Sequence, residues 1–173
     1  MNTIDNYFTI KEPGISKEDI TVFTDGSCIN NGYKNACAGI GIFFGIDDNR
    51  NISKRIMGKQ SNNTAELLAI IEVFKILKSE IINNKINLLI YTDSKYCILC
   101  ATTYGDKQAK KKWVDDIPNK ELVKTIHTLF KKYGSIVKLV KVKAHTTKKD
   151  PLSTGNRWAD KLARQSLEQQ YIH

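Results

Sequence analysis

The order of apolar runs along the chain is what most narrows its fold. Three strand-like segments come first, at residues 20–24, 38–45 and 52–57. They are rich in β-branched and aromatic side chains and are bounded by glycine, asparagine and aspartate, as strands joined by turns are. A helical stripe follows over 63–77, where Leu67, Ile70, Ile71, Phe74 and Leu77 recur at helical spacing. Residues 86–92 (INLLIYT) read as a fourth strand, and Asp93-Ser94 leads into a helix that ends near Ala101. Asn119 is expected to cap a further helix to Lys132. A fifth strand spans 136–142, a loop 145–155 and a last helix 156–169. Three strands and then α-β-α-α-β-α predict an α/β fold with a five-stranded mixed sheet: three antiparallel strands, two more added parallel, and flanking helices. Strands joined through helices run parallel. Asp25 and Asp93, ending the first and fourth strands, are therefore expected side by side at the carboxyl edge of the sheet, where open α/β sheets bind their ligands.

A chain of 173 residues and 19.6 kDa fits a single domain, with 1–19 as a polar lead-in, 20–169 as the folded unit and 170–173 as a tail. No apolar run approaches the roughly 20 residues of a membrane helix. The opening MNTIDNYFTIKEPG has no apolar centre, so neither a membrane span nor secretion is expected. Cys28, Cys37, Cys97 and Cys100 are too few and too irregular for a disulfide framework. Cys97 and Cys100 read as thiols packed on one helix face, and the expected setting is intracellular and reducing. The net charge is +9 and unevenly spread. Between Ala101 and Asp150 thirteen lysines face five acids, which suits a polyanionic partner. His127 and His173 match no pattern and read as surface residues.

Four carboxylates stand out. Asp25 follows the buried run Ile20–Thr24 in ITVFTDGS, Asp93 follows INLLIYT, Glu66 lies in the first turn of the first helix, and Asp160 lies on the last helix. Each also has an ordinary structural use. Glu66, three residues after Asn63, can be the return half of a capping box. Asp93 can cap the helix after it, and Asp160 can pair with Lys161 or Arg164 on a solvated face. Hydrolysis of a phosphodiester gives them a joint use. It needs an activated water and a neutralised leaving oxygen, which two cations roughly 4 Å apart supply together. Magnesium takes hard oxygen ligands, so carboxylates are the fitting groups and thiols are not.

TDGS at 24–27, N-N-T-A-E at 62–66, T-D-S at 92–94 and K-A-H…G-N-x-x-A-D from Lys143 to Asp160 together resemble the four signature blocks of type 1 ribonuclease H, in that family's order, over about 20–167. The resemblance implies a ribonuclease H-like fold, with 20–169 as its catalytic domain. It implies hydrolysis of the RNA strand of an RNA–DNA hybrid, leaving 5′-phosphate and 3′-hydroxyl ends, with two Mg2+ ions or Mn2+ in their place. Asp25 would bridge both ions, Glu66 and Asp93 would hold one, and Asp160 the other. His145 would move a proton to the leaving group or assist product and metal release. The matching substrate contacts are Cys28, Asn30, Asn31, Asn62 and Asn63 along the hybrid. A pocket of Lys59, Ser61 and Asn119 would grip a DNA-strand phosphate, although arginine and threonine are commoner at the first two places. Lys110, Lys111, Lys112 and Trp113 correspond to a shortened basic protrusion, in which Trp113 either packs beside a deoxyribose or anchors the protrusion to the core. The partner is then the hybrid duplex, with no membrane and no protein partner inferable, and a monomer is expected. With 19 residues before the first strand, no N-terminal hybrid-binding module is expected, and the starting Met1 speaks against a piece of a polymerase-linked protein. The rival readings are another nuclease of the same superfamily and a hybrid-binding module without catalysis.

Overall fold

The computed structural model describes residues 16–144 and 147–168. The expectations for the first fifteen residues, for 170–173, and for His145 and His173 lie outside those residues. The elements, in order, are β1 (Glu18–Ile29), β2 (Cys37–Phe43), β3 (Ile52–Arg55), α1 (Asn62–Ile76), α2 (Lys78–Ile82), β4 (Ile86–Thr92), α3 (Lys95–Ala101), α4 (Thr103–Lys110), α5 (Lys120–Tyr133), β5 (Val137–Lys141) and α6 (Pro151–Glu168). They form one five-stranded sheet in the order β3-β2-β1-β4-β5. β1, β2 and β3 pair antiparallel, while β4 joins β1 and β5 joins β4 in parallel. The mixed sheet expected from the order of apolar runs is therefore present.

Side chains alternate across the sheet and separate two layers. Val22 enters the main core with Ile42, Ile90 and the inner residues of α1, Leu67 and Ile70. Phe23 enters the opposite face with Phe43 and Ala159 of α6, where Phe43 stacks on Trp158 with ring centroids 5.6 Å apart. Each fully buried aliphatic side chain contributes about 1.5–3 kcal/mol. The expected stripe of α1 is wholly buried, but so are Ala65, Ala69 and Val73, because α3 and α5 cover the side of α1 away from the sheet.

Besides the short α2, which the sequence reading lacks, three elements differ from expectation. β1 does not end at Thr24. Its parallel pairing with β4 stops at Thr24↔Thr92, but its antiparallel pairing with β2 continues through Ile29↔Cys37. Gly26 is thus a strand residue rather than a turn. A Cβ there would stand 2.5 Å from the Glu66 amide nitrogen, so its bareness lets α1 lie directly on β1. Second, residues 103–110 form α4, where only a basic stretch was expected. Third, α6 begins at Pro151, five residues before the expected start. Asp150 caps it, accepting from the Ser153 amide at 2.9 Å and from Ser153 Oγ at 2.8 Å, and proline suits the first helical position because its missing N–H has no partner there.

Candidate active site

Where β4 ends and β1 continues, the sheet leaves a notch at the carboxyl end of β4. Asp25 lies one residue beyond the last parallel pair, buried at 6% exposure, with Oδ1 accepting from the Gly26 amide at 2.9 Å. Glu66 approaches from α1, which packs on β1, and is 4% exposed. Asp93 follows Thr92 directly. Carboxylate oxygens of Asp25, Glu66 and Asp93 lie within 4.8 Å of one another. Asp160, on α6, lines the same polar cleft of about 250 Å³ but stands outside that close group.

Glu66 is one turn into α1 rather than in its first turn, and it caps nothing. Ser61 is the cap, its Oγ accepting from the Thr64 amide at 3.1 Å. Asp93 does not cap α3 either, since Ser94 Oγ accepts from the Cys97 amide at 3.3 Å. Asp160 does pair with Arg164, whose Nε donates to its Oδ1 at 2.9 Å, and Arg164 lines the cleft as well.

Packing acids together without a cation is costly, and their proton affinities show it. Burial pushes Asp25 up to about 8, with the charges of Asp93 and Asp160 adding to it. Burial, then the charges of Asp25 and Asp93, push Glu66 well above the usual carboxylate range. Glu66 Oε2 is buried with no hydrogen-bond partner, which is expensive for a carboxyl oxygen. Hard oxygen donors, mutual repulsion and an unpartnered buried oxygen fit a divalent cation.

Two supports were not singled out in the sequence. Asn156 Nδ2 donates to Asp93 Oδ2 at 3.0 Å, with Asn156 itself 3% exposed. Lys141 Nζ donates to the Asp93 carbonyl at 2.9 Å. Asn156 stands inside the G-N-x-x-A-D block, and that was its only signal. Lys141 had none.

The expected substrate residues fall into groups. Cys28 and Asn62 line the acid cleft; the Cys28 thiol is pushed up by burial and then by Cys37. Asn31 Oδ1 accepts from the Asn62 amide at 3.2 Å, which ties the turn after β1 to the start of α1. Asn30, in the left-handed conformation with φ 51°, and Asn63 are exposed. Ser61 and Asn119 meet through Thr64, whose Oγ1 donates to Asn119 Oδ1 at 3.0 Å and lies 2.7 Å from Ser61 Oγ. Lys59 is exposed nearby in sequence. Asn119 makes no side-chain cap for α5 and sits at φ 56°; its side-chain oxygen accepts from Thr64 instead. Lys110, Lys111 and Lys112 are exposed at the end of α4, with Lys111 paired to Asp115 at 2.8 Å. Trp113 packs against the main core, as an anchor does. His127 is not a surface residue: it is 8% exposed, and its Nε2 lies 2.9 Å from Asp106 Oδ1, because α4, absent from the sequence reading, covers it. Cys97 and Cys100 are fully buried on α3, as expected.

The RNase H family model matches residues 17–168. A ribonuclease H from Schizosaccharomyces pombe is 37% identical over 153 residues, covering 86% of this chain and 53% of the relative, so the chain spans about half the length of that protein. The solution structure of the prototype foamy virus RNase H domain superposes with a TM-score of 0.67 at 21% identity, over 87% of this chain and 95% of that one. The structure of LC11-RNase H1, isolated from compost, in complex with an RNA/DNA hybrid superposes with a TM-score of 0.58 at 18% identity, over 88% of this chain and 99% of that one.

Proposed function

The chain belongs to the ribonuclease H family, and from that premise we propose that it is a ribonuclease H that hydrolyses the RNA strand of RNA–DNA hybrids, leaving 5′-phosphate and 3′-hydroxyl ends. The observation that carries the reading is the trio Asp25, Glu66 and Asp93, with carboxylate oxygens within 4.8 Å of one another in a polar cleft. With Asp160 these residues would hold two Mg2+ ions, or Mn2+ in their place. Bound there, the ions supply the Lewis acidity that makes water nucleophilic near neutral pH and neutralises charge on the leaving oxygen.

The chain's own groups do the rest. Asp25 and Glu66 carry a proton until a cation displaces it, so loading the site releases protons. Asn156 fixes the rotation of Asp93, and Arg164 fixes that of Asp160. His145 passes a proton to the departing oxygen or helps product leave. Asn31 and Asn62, with Cys28, Asn30 and Asn63, meet the hybrid where the 2′-hydroxyl distinguishes RNA from DNA. The linked Ser61, Thr64 and Asn119, with Lys59, receive a DNA-strand phosphate, and Lys110, Lys111 and Lys112, on a protrusion anchored by Trp113, extend that track along the DNA strand. That LC11-RNase H1 is solved with an RNA/DNA hybrid supports this class of substrate. The catalytic unit is taken as 20–169, acting as a monomer. An intracellular, reducing setting accords with four free cysteines, and no helix among the described residues is long and apolar enough to cross a membrane.

Asp25→Asn tests the assignment. It should reduce cleavage by at least about 10²–10³-fold, the scale on which a preorganised charge at the reacting centre acts, while a labelled hybrid still binds within a few-fold of wild type. Retained turnover in that variant would remove Asp25 from the reaction.

A further inference from the structure

α4 and the turn after it carry Lys107, Lys110, Lys111 and Lys112, all exposed. So dense a basic strip is self-repelling, and something must hold it in one orientation. Three contacts do so: two meet at one side chain of α5, His127, and the third shares its partner on α4, Asp106. His127 Nε2 lies 2.9 Å from Asp106 Oδ1 on α4. The same carboxylate oxygen accepts from Lys131 Nζ at 2.8 Å, one turn further along α5. The Trp113 ring meets the His127 ring edge-on with centroids 5.7 Å apart. α4 comes down onto the imidazole at Gly105, where a Cβ would stand 2.6 Å from His127 Cδ2. The chain then turns through two left-handed residues, Lys112 at φ 55° and Trp113 at φ 58°. These are costly for side chains of that size. The turn returns Trp113 to its ring partner, and its amide donates to the Gln108 carbonyl at 2.9 Å.

We propose that His127 is the positioning residue of the basic protrusion: by holding Asp106 on one side and Trp113 on the other, it sets where the lysines of residues 107–112 meet the DNA strand of the hybrid. The connection runs on towards the active site. Trp113 lies six residues before Asn119, whose side chain is bonded to Thr64 at the start of α1, two residues from Glu66. A protrusion fixed at Trp113 therefore keeps its register with the phosphate pocket. Because His127 touches neither the cleft nor its carboxylates, its loss acts on binding and not on bond breaking. This inference rests on the hybrid-cleaving function proposed above.

The test compares wild type with His127→Leu, His127→Gln and Asp106→Ala. His127→Leu fills the volume without a donor, and His127→Gln keeps an N–H for Asp106. The exposed Asp106→Ala breaks the same contact should a core substitution fail to fold. Hybrid affinity is measured by fluorescence anisotropy across a KCl series, together with kcat and KM. Emission from Trp113 is read in a Trp158→Phe background, which leaves one indole. His127→Leu and Asp106→Ala should weaken binding about tenfold and flatten the log-log salt dependence by about one unit, the value of one lost phosphate contact. KM should rise with kcat held within about twofold, Trp113 emission should shift to the red, and His127→Gln should recover most of the loss. Where the wild type binds hybrid, unchanged affinity and salt slope in His127→Leu and Asp106→Ala would overturn the assignment, as would a fall in kcat with KM constant. A wild type that binds no hybrid, while Trp113 emission still shifts in the variants, would overturn the proposed function and leave His127 as the anchor of the protrusion alone.

Discussion

Asp25 shows how one carboxyl can serve the site at the expense of the fold. Its folded-state proton affinity is raised to about 8 from an ordinary 3.8. Between those values the folded protein, free of cations, keeps a proton that the unfolded chain has released. Stability contributed at this residue is therefore lost as the pH rises through that window. A divalent cation replaces the proton and reverses the loss, since a ligand that binds only the folded state stabilises it. Asparagine cannot ionise, so in EDTA Asp25→Asn should melt higher than wild type, by an interval that widens between about pH 5 and about pH 8. Melting curves at those two pH values check this. An interval that narrows with rising pH would mean that Asp25 is not the strained acid. Asp25, Glu66, Asp93 and Asp160 were all visible in the sequence, because residue type and block order state their chemistry directly. Their supports were less so. Asn156 acts through a rotamer aimed at Asp93, and Lys141 reaches a backbone carbonyl 48 positions away. Asn156 shows in the chain only as a member of the G-N-x-x-A-D block, and Lys141 not at all.

Among the elements, agreement follows periodicity. β4 has the bounds expected of it, and the expected α1 stripe is entirely buried. Where single residues punctuate the chain, their meaning depended on the packing. Gly26 was read as ending β1, but the strand continues because β2 supplies a second ladder, and the glycine serves the approach of α1. Gly155 likewise sits inside α6 rather than in a loop, with the Phe23 ring so close that a Cβ would stand 2.3 Å from Cε2. The polar, lysine-rich sequence of α4 hides its helix, since only Gly105 and Gln108 of it are buried. That omission left His127 without its cover. The approach of α1 gives a prediction at this scale. Gly26→Ala forces a methyl group against the α1 backbone and should destabilise the fold by about 1–3 kcal/mol. It should also move Glu66 and depress cleavage more than the stability loss explains. Denaturant titration alongside single-turnover rates checks both. A variant as stable and as active as wild type would mean that α1 has room to spare.

At the level of the molecule, the antiparallel meander and the two added parallel strands serve one purpose. They bring the middle of a long strand, the end of a short one and two helices on opposite faces to a single notch. A net charge of +9 surrounds that acidic notch with a field suited to a nucleic-acid backbone, so hybrid binding should weaken steeply with salt. The most direct measurement labels the RNA strand of an RNA–DNA hybrid in one reaction and its DNA strand in another. RNA–RNA and DNA–DNA duplexes run in parallel, each with Mg2+ and with EDTA. Cleavage confined to the RNA strand of the hybrid, and abolished by EDTA, is the expected result. Cleavage of duplex DNA, cleavage that persists in EDTA, or tight hybrid binding without cleavage in either Mg2+ or Mn2+ would contradict it.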